Sequence, residues 1–147
     1  MLLAYCHVAH NCRIGSNVTM SSTAQLAGHV EIDDFATVGG MVGMHQFVRV
    51  GRYAMIGGAS KVARDVPPFF LADGNPPQVY GLNTVGLRRA DFDSETIAEL
   101  KECYKLMYRS GRSLSQATEA IRALVKSDAG RALLAFIEKP SERGILK

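Results

Sequence analysis

This sequence offers neither a disulfide framework nor a membrane span. Its three cysteines, Cys6, Cys12 and Cys103, fit neither an even-numbered disulfide set nor the paired spacings of zinc sites, so they read as reduced thiols and the compartment as cytoplasmic. No apolar run approaches the roughly 20 residues that cross a bilayer, so no integral membrane segment is expected. The short apolar patch at residues 1–6 has no basic stretch before it and no clean cleavage site after it, which excludes a signal peptide. Charge of one sign is scarce too. The 17 basic and 14 acidic residues leave a net charge of +3, too mild and too interspersed for a nucleic-acid surface, although an acidic partner stays open. A chain of 147 residues is one ordinary domain or two small ones, long enough to bury roughly two thirds of its unfolded surface.

What the sequence does have is a period of six. Stepping by six from residue 2 gives Leu2, Val8, Ile14, Met20, Leu26, Ile32, Val38, Met44, Val50, Ile56 and Val62, aliphatic at all eleven steps. Four places after each comes a small residue, from Cys6, Cys12, Val18 and Ala24 through to Ser60 and Val66. An amphipathic helix needs spacings of three and four and an ordinary strand a spacing of two, so neither fits. A sandwich of short strands would show turn signals every 8 to 12 residues, and it does not. A parallel β-helix fits: residues 2–67 supply three to four triangular coils of three hexads, with the aliphatic pointing inward. The small fifth residue is expected to let the chain turn each corner without crowding the axis. Pro67 and Pro68 end the pattern, because proline cannot donate to a ladder.

Residues 69–92 read as an irregular connecting loop with Gly74-Asn75-Pro76-Pro77 as its turn signal. The period then becomes helical over 93–147. Asp93 caps a helix striped by Ile97, Leu100, Tyr104, Met107 and Tyr108 and closed by Gly111. Ser113 and Gln116 form a capping box for a second helix striped by Leu114, Ala117, Ile121, Leu124 and Val125. A third helical segment near 131–138 stops at Pro140. The expected organisation is thus a left-handed parallel β-helix over 1–68, the loop over 69–92 and a small helical domain over 93–147.

Positions 18 apart stack on neighbouring coils about 4.8 Å apart, so columns can be read off directly. One runs His10, Gly28, Gln46, Arg64; the next runs Asn11, His29, Phe47, Asp65; a third runs Ala9, Ala27, His45, Ala63. Three of the four histidines fall on this strip, and His7 lies just before it. A neutral imidazole suits proton abstraction from a hydroxyl near neutral pH, and a nearby amide and guanidinium suit a phosphate-bearing substrate. Gly28 leaves room for a ligand to approach the backbone. Four solvated surface histidines remain the plain alternative on the strip alone. No carboxylate or thiol joins the histidines at metal-binding spacing, so no metal or other cofactor is expected. Cys6 and Cys12 occupy inward positions, which argues against a cysteine nucleophile.

The segments HVAHNCRIG, LAGHVEIDDFATVGGM, HQFVRVG, VARDVPPF, GLNTVGLRR and YKLMYRSG, in this order and at these separations, resemble the UDP-N-acetylglucosamine O-acyltransferases of lipid A synthesis. The likeness includes the helical tail and covers essentially the whole chain, as the C-terminal part of a longer family member. It implies a hexapeptide-repeat homotrimer that moves a 3-hydroxyacyl group from acyl carrier protein to the 3-hydroxyl of a UDP-sugar, with histidine as general base and neither metal nor covalent intermediate. Residue by residue, it implies His10 as the base, His7, His29 and His45 lining the cleft, and Gln46 as the neighbouring amide. Asn83 and Arg89 match the nucleotide-contacting loop, and Gly58 the position that limits acyl-chain length. Asn11 stands where the family commonly has aspartate, and Pro76 where a histidine often follows the Gly-Asn of the loop. Family members run to roughly twice this length, and their earlier coils carry the acidic residue that holds the sugar. Impaired transfer by this chain is therefore expected. Two other classes are a trimeric β-helix that binds or assembles without turnover and a CoA-dependent sugar acetyltransferase; the helical tail and GLNTVGLRR argue against the latter.

Overall fold

A computed structural model describes all 147 residues. Ten two-residue strands recur every six residues: β1 (His7–Val8), β2 (Arg13–Ile14), β3 (Thr19–Met20), β4 (Gln25–Leu26), β5 (Glu31–Ile32), β6 (Thr37–Val38), β7 (Gly43–Met44), β8 (Arg49–Val50), β9 (Met55–Ile56) and β10 (Lys61–Val62). Strands one coil apart pair in parallel, His7 with Gln25, Arg13 with Glu31 and Thr19 with Thr37. The result is a left-handed parallel β-helix of about four coils. Its first sheet is β1-β4-β7-β10, its second β2-β5-β8, and its third contains β3-β6-β9. Met20, Leu26, Ile32, Val38, Met44, Val50, Ile56 and Val62 are buried as the period predicts. Leu2 and Val8 on the first coil stay 52% and 37% exposed.

The corners turn differently from the sequence-based expectation. The small fifth residue fills the interior, but the turn is made by the residue before it. Tyr5, Asn11, Asn17, Thr23, His29, Phe35, Met41, Phe47, Tyr53 and Ala59 all have φ between 56° and 66°. For a non-glycine residue this left-handed conformation costs about 1–2 kcal/mol. It is offset because it aims the corner amide into the ladder: His29 N–H donates to His10 O at 3.0 Å, and Phe47 N–H to Gly28 O at 3.2 Å. The same twist throws the corner side chains outward, where chemistry can use them.

The stretch 69–92, expected as an irregular loop, is ordered. It forms β11 (Phe70–Gly74), β12 (Pro77–Leu82) and the short helix α1 (Thr84–Arg89). β11 pairs in parallel with β9, Leu71 with Met55, and β12 closes the third sheet antiparallel to β11. The hexad vanishes here because the strands lengthen and one reverses, while alternation survives: Phe70, Ala72, Pro77 and Val79 face inward and Gln78 and Tyr80 outward.

The tail forms α2 (Ser94–Tyr108), α3 (Leu114–Leu124) and α4 (Asp128–Glu138). Asp93 accepts from Thr96 N–H and the Ser113–Gln116 capping box is complete. The third helix starts earlier than expected, capped by Ser127, whose hydroxyl accepts from Gly130 N–H. Leu114, expected in the apolar stripe of α3, is 44% exposed. Cys103, outside the stripe drawn for α2, is fully buried instead, and burial pushes its thiol up to about 12. Tail and β-helix share one cluster of 29 buried residues running from Val18 to Leu146.

A polar latch fastens them. The fully buried Asp65 accepts from Arg49 N–H at 2.9 Å, from Arg49 Nε at 2.8 Å and from the Ser141 hydroxyl at 2.5 Å. Arg49 lies 4.4 Å above the Phe136 ring and donates to Phe136 O at 3.3 Å. The backbone of Asp65 also bridges to the C-terminal segment, donating to Gly144 O and accepting from Leu146 N–H, each at 2.8 Å.

Candidate active site

The histidine strip occupies the corner between the first and second sheets. His10 is exposed, and its ring lies over Gly28, where a Cβ would come within 2.7 Å of His10 Cε1. Any larger residue at 28 would push the imidazole away. His10 Nδ1 and Asn11 Oδ1 are 3.1 Å apart. With that oxygen as acceptor, His10 is the Nδ1–H tautomer and its Nε2 is the free basic nitrogen. The His10 ring meets His29 edge-on at 5.2 Å between centroids, and His29 stacks on Phe47 at 4.9 Å. Left-handed corners thus place Asn11, His29 and Phe47 one above another, and the stack limits how the rings can turn.

His7, His45 and Gln46 face a shallow groove of about 590 Å³ on the first sheet, together with Gln25 and Lys61. His29 and Phe47 instead line a smaller cavity of about 450 Å³ on the second-sheet side, with Arg13 and Glu31. His10 sits at the ridge between the two. The outward column His7, Gln25, Gly43, Lys61 was not singled out from the sequence, although the spacing of 18 that exposed the histidines also defines it. Gly43 leaves a notch there, since a Cβ on it would meet nothing within 4 Å.

The remaining expected site residues lie elsewhere in the chain. Gly58 is at the corner between the third and first sheets, where a Cβ would stand 3.2 Å from Gly40 O. Asn83 is beside the corner between the second and third sheets. Its Nδ2 donates to Tyr53 O at 2.9 Å, and its Oδ1 caps α1 by accepting from Gly86 N–H at 3.1 Å. That side chain positions the loop. Arg89, the last residue of α1, is exposed. The histidine strip, Gly58 and the Asn83–Arg89 loop therefore occupy three different corners of one prism.

A family model described as UDP N-acetylglucosamine O-acyltransferase, domain 2, matches residues 65–146. The chain belongs to this family. Similar proteins include the acyl-acyl-carrier-protein–UDP-N-acetylglucosamine O-acyltransferase of Burkholderia orbicola (strain MC0-3), 46% identical over 151 residues. The enzyme of the same name from Burkholderia thailandensis is 44% identical. Each alignment takes in 99% of this chain and 57% of the relative, so the chain spans little more than half the length of these curated relatives. Among solved structures, LpxA from Acinetobacter baumannii superposes with a TM-score of 0.95 at 38% identity, over 99% of this chain and 57% of that one. The UDP-N-acetylglucosamine acyltransferase of Francisella novicida does so with a TM-score of 0.93 at 40% identity, over 97% and 52%. Membership covers both halves of the fold. No helix is long and apolar enough to cross a membrane.

Proposed function

We propose that this protein is a cytoplasmic acyltransferase that moves a 3-hydroxyacyl group from acyl carrier protein to the 3-hydroxyl of UDP-N-acetylglucosamine, with His10 as general base. The observation that carries this reading is the His10 ring, seated on Gly28 and bonded through Nδ1 to Asn11. Nε2 takes the proton of the sugar hydroxyl as its oxygen attacks the thioester carbonyl. The tetrahedral adduct then collapses, the C–S bond breaks, and the imidazolium returns the proton to the departing thiolate. Asn11 can hold the tautomer but, unlike a carboxylate, adds no negative charge opposite the imidazolium. His7, His45 and Gln46 line the groove along which the substrates are held, and Gly58 leaves space for the acyl chain.

The placement of these groups supports an assembly of several copies. His10 and the Asn83–Arg89 loop stand at different corners of one prism, so they meet only when a corner of one copy faces another corner of the next. A homotrimer about an axis parallel to the coils satisfies this, and light scattering at micromolar concentration should give three chains per particle. The experiment is thioester-dependent acylation of UDP-N-acetylglucosamine by the purified chain and by its His10→Ala variant. General-base removal should lower the rate by about 10² to 10⁴. A variant keeping a third of the parent rate, or a parent with no His10-dependent transfer, would overturn the reading.

A further inference from the structure

At the end of the histidine groove, where the last coil meets the hairpin and α2, lies a second cavity of about 620 Å³. Lys61 lines both, so the two adjoin at its side chain. Lys61 and Arg64 from the last coil and Arg109 from the end of α2 converge on it, and no acidic side chain does. Lys147 also borders it, its carboxyl group offsetting its own ammonium. The molecule's ion pairs engage Arg49, Lys105, Arg122, Arg131 and Lys139, and none of these three cations.

One wall of the cavity is aromatic. Tyr104 and Tyr108 lie 5.5 Å apart at a 35° tilt. Arg109 is anchored on that wall, its Nε donating to Tyr104 Oη at 3.2 Å and its guanidinium carbon 5.8 Å from the ring centre. The two terminal nitrogens of Arg109 are left to point at a ligand. The Tyr108 hydroxyl donates to Leu146 O at 2.6 Å, and burial pushes its ionisation well above the ordinary range, so it adds no negative charge.

We infer that this cavity binds a phosphate ester, its anionic group held by Lys61, Arg64 and Arg109 and its organic part resting on the tyrosines. Three like charges gathered without a counter-ion repel one another until an anion joins them, and guanidinium and ammonium donors suit phosphate oxygens. The aromatic wall makes an ester a better ligand than free phosphate. This goes beyond the transfer reading, which leaves the phosphates of both substrates unplaced. Two sources fit the chemistry, the phosphopantetheine arm of a carrier-bound donor and the diphosphate of a nucleotide sugar.

Calorimetric titration of the whole chain separates them, with pantetheine 4′-phosphate, UDP, unphosphorylated pantetheine and inorganic phosphate as probes. One of the two esters should bind at least about tenfold more tightly than pantetheine or inorganic phosphate, and more weakly as salt rises. Arg64→Ala and Arg109→Ala should each weaken that ester by about tenfold while leaving the thermal transition in place. Failure of both esters to bind more tightly than pantetheine and inorganic phosphate, or equal binding of the tighter ester to parent and variants, would overturn the assignment. Since the readout is binding, loss of acyl transfer leaves this inference standing, and loss of phosphate binding leaves the transfer reading standing.

Discussion

The β-helix and the helical tail share a core but are held together on opposite plans. In the coils one set of roles repeats: an aliphatic inward, a left-handed corner residue outward and a small residue filling the turn, each linked to the next coil by the same hydrogen bonds. Stability there is a sum of nearly equal neighbour terms. In the tail each contact occurs once. Asp65 holds Arg49 and Ser141, Glu99 holds the start of α4, and Ser113 caps α3. A repeat supplies many equivalent corners on which a site can be placed, whereas a set of single contacts can only seal the end of the stack. All four histidines accordingly lie on the coils and none on the tail.

The comparison can be broken most severely inside the repeat. Val8 and Leu26 are stacked partners in one column, yet Leu26 is 1% exposed and Val8 37%. Leu26→Asp buries an unpaired carboxylate, at a cost of several kcal/mol, comparable to the stability of a whole domain. It should abolish the cooperative melt. Val8→Asp should cost about 1 kcal/mol or less, because its carboxylate reaches water. Equal shifts in Tm would contradict the gradient of burial along the stack.

The latch comes next. Asp65→Ala leaves the Arg49 guanidinium buried without its carboxylate, which costs about 3–5 kcal/mol. Urea unfolding should show the midpoint falling accordingly. An Arg49→Met, Asp65→Leu pair should recover most of that loss, since replacing both charges by apolar groups of similar volume is close to neutral. If the pair were as damaged as the single variant, the latch would owe its strength to the Ser141 and backbone contacts and not to charge.

This contrast also explains what could be read in advance. The coils, their inward residues and the histidine columns followed from one number, six, because every repeat reports the same geometry. The hairpin over Phe70–Leu82 did not, since Pro76, Pro77 and the loss of the hexad masked an alternation in Phe70, Ala72 and Val79 that was there to find. The latch was invisible because Asp65 meets Ser141 at a separation of 76 positions in the sequence, and no period links them. The helix caps were local and therefore readable at Asp93 and Ser113, while Ser127 went unnoticed. Of the site, the strip around His10 was visible as columns. The outward face of Gln25 and Lys61 needed only the same arithmetic applied one strand earlier, and the internal engagement of Asn83 needed the fold.

The mildest test lies in the tail, and it carries a pH signature. Glu99 on α2 accepts from the Ser127 hydroxyl at 2.7 Å and from the Lys126 and Ser127 amides at 3.0 and 3.2 Å, tying α2 to the N-terminus of α4. Burial by itself would raise this carboxyl. The Ser127 hydroxyl, the two amides and the nearby charge of Arg131 outweigh it and hold the group below its ordinary value of 4.5. Because the folded state lowers the ionisation, the folded protein binds this proton less readily than the unfolded chain. The stabilisation is therefore fully present above the unfolded value and is lost as pH falls through the lower folded value. Glu99→Gln keeps the shape and one acceptor oxygen but removes the charge, so on a half-exposed site it should cost about 1 kcal/mol at pH 7. Urea unfolding of both proteins at pH 7, 5 and 3 should show that difference unchanged between the first two and shrinking at the third. Comparing the pair removes every other titrating group from the result. A difference as large at pH 3 as at pH 7 would mean that Glu99 acts through packing alone, and that the tail gains nothing from this charge.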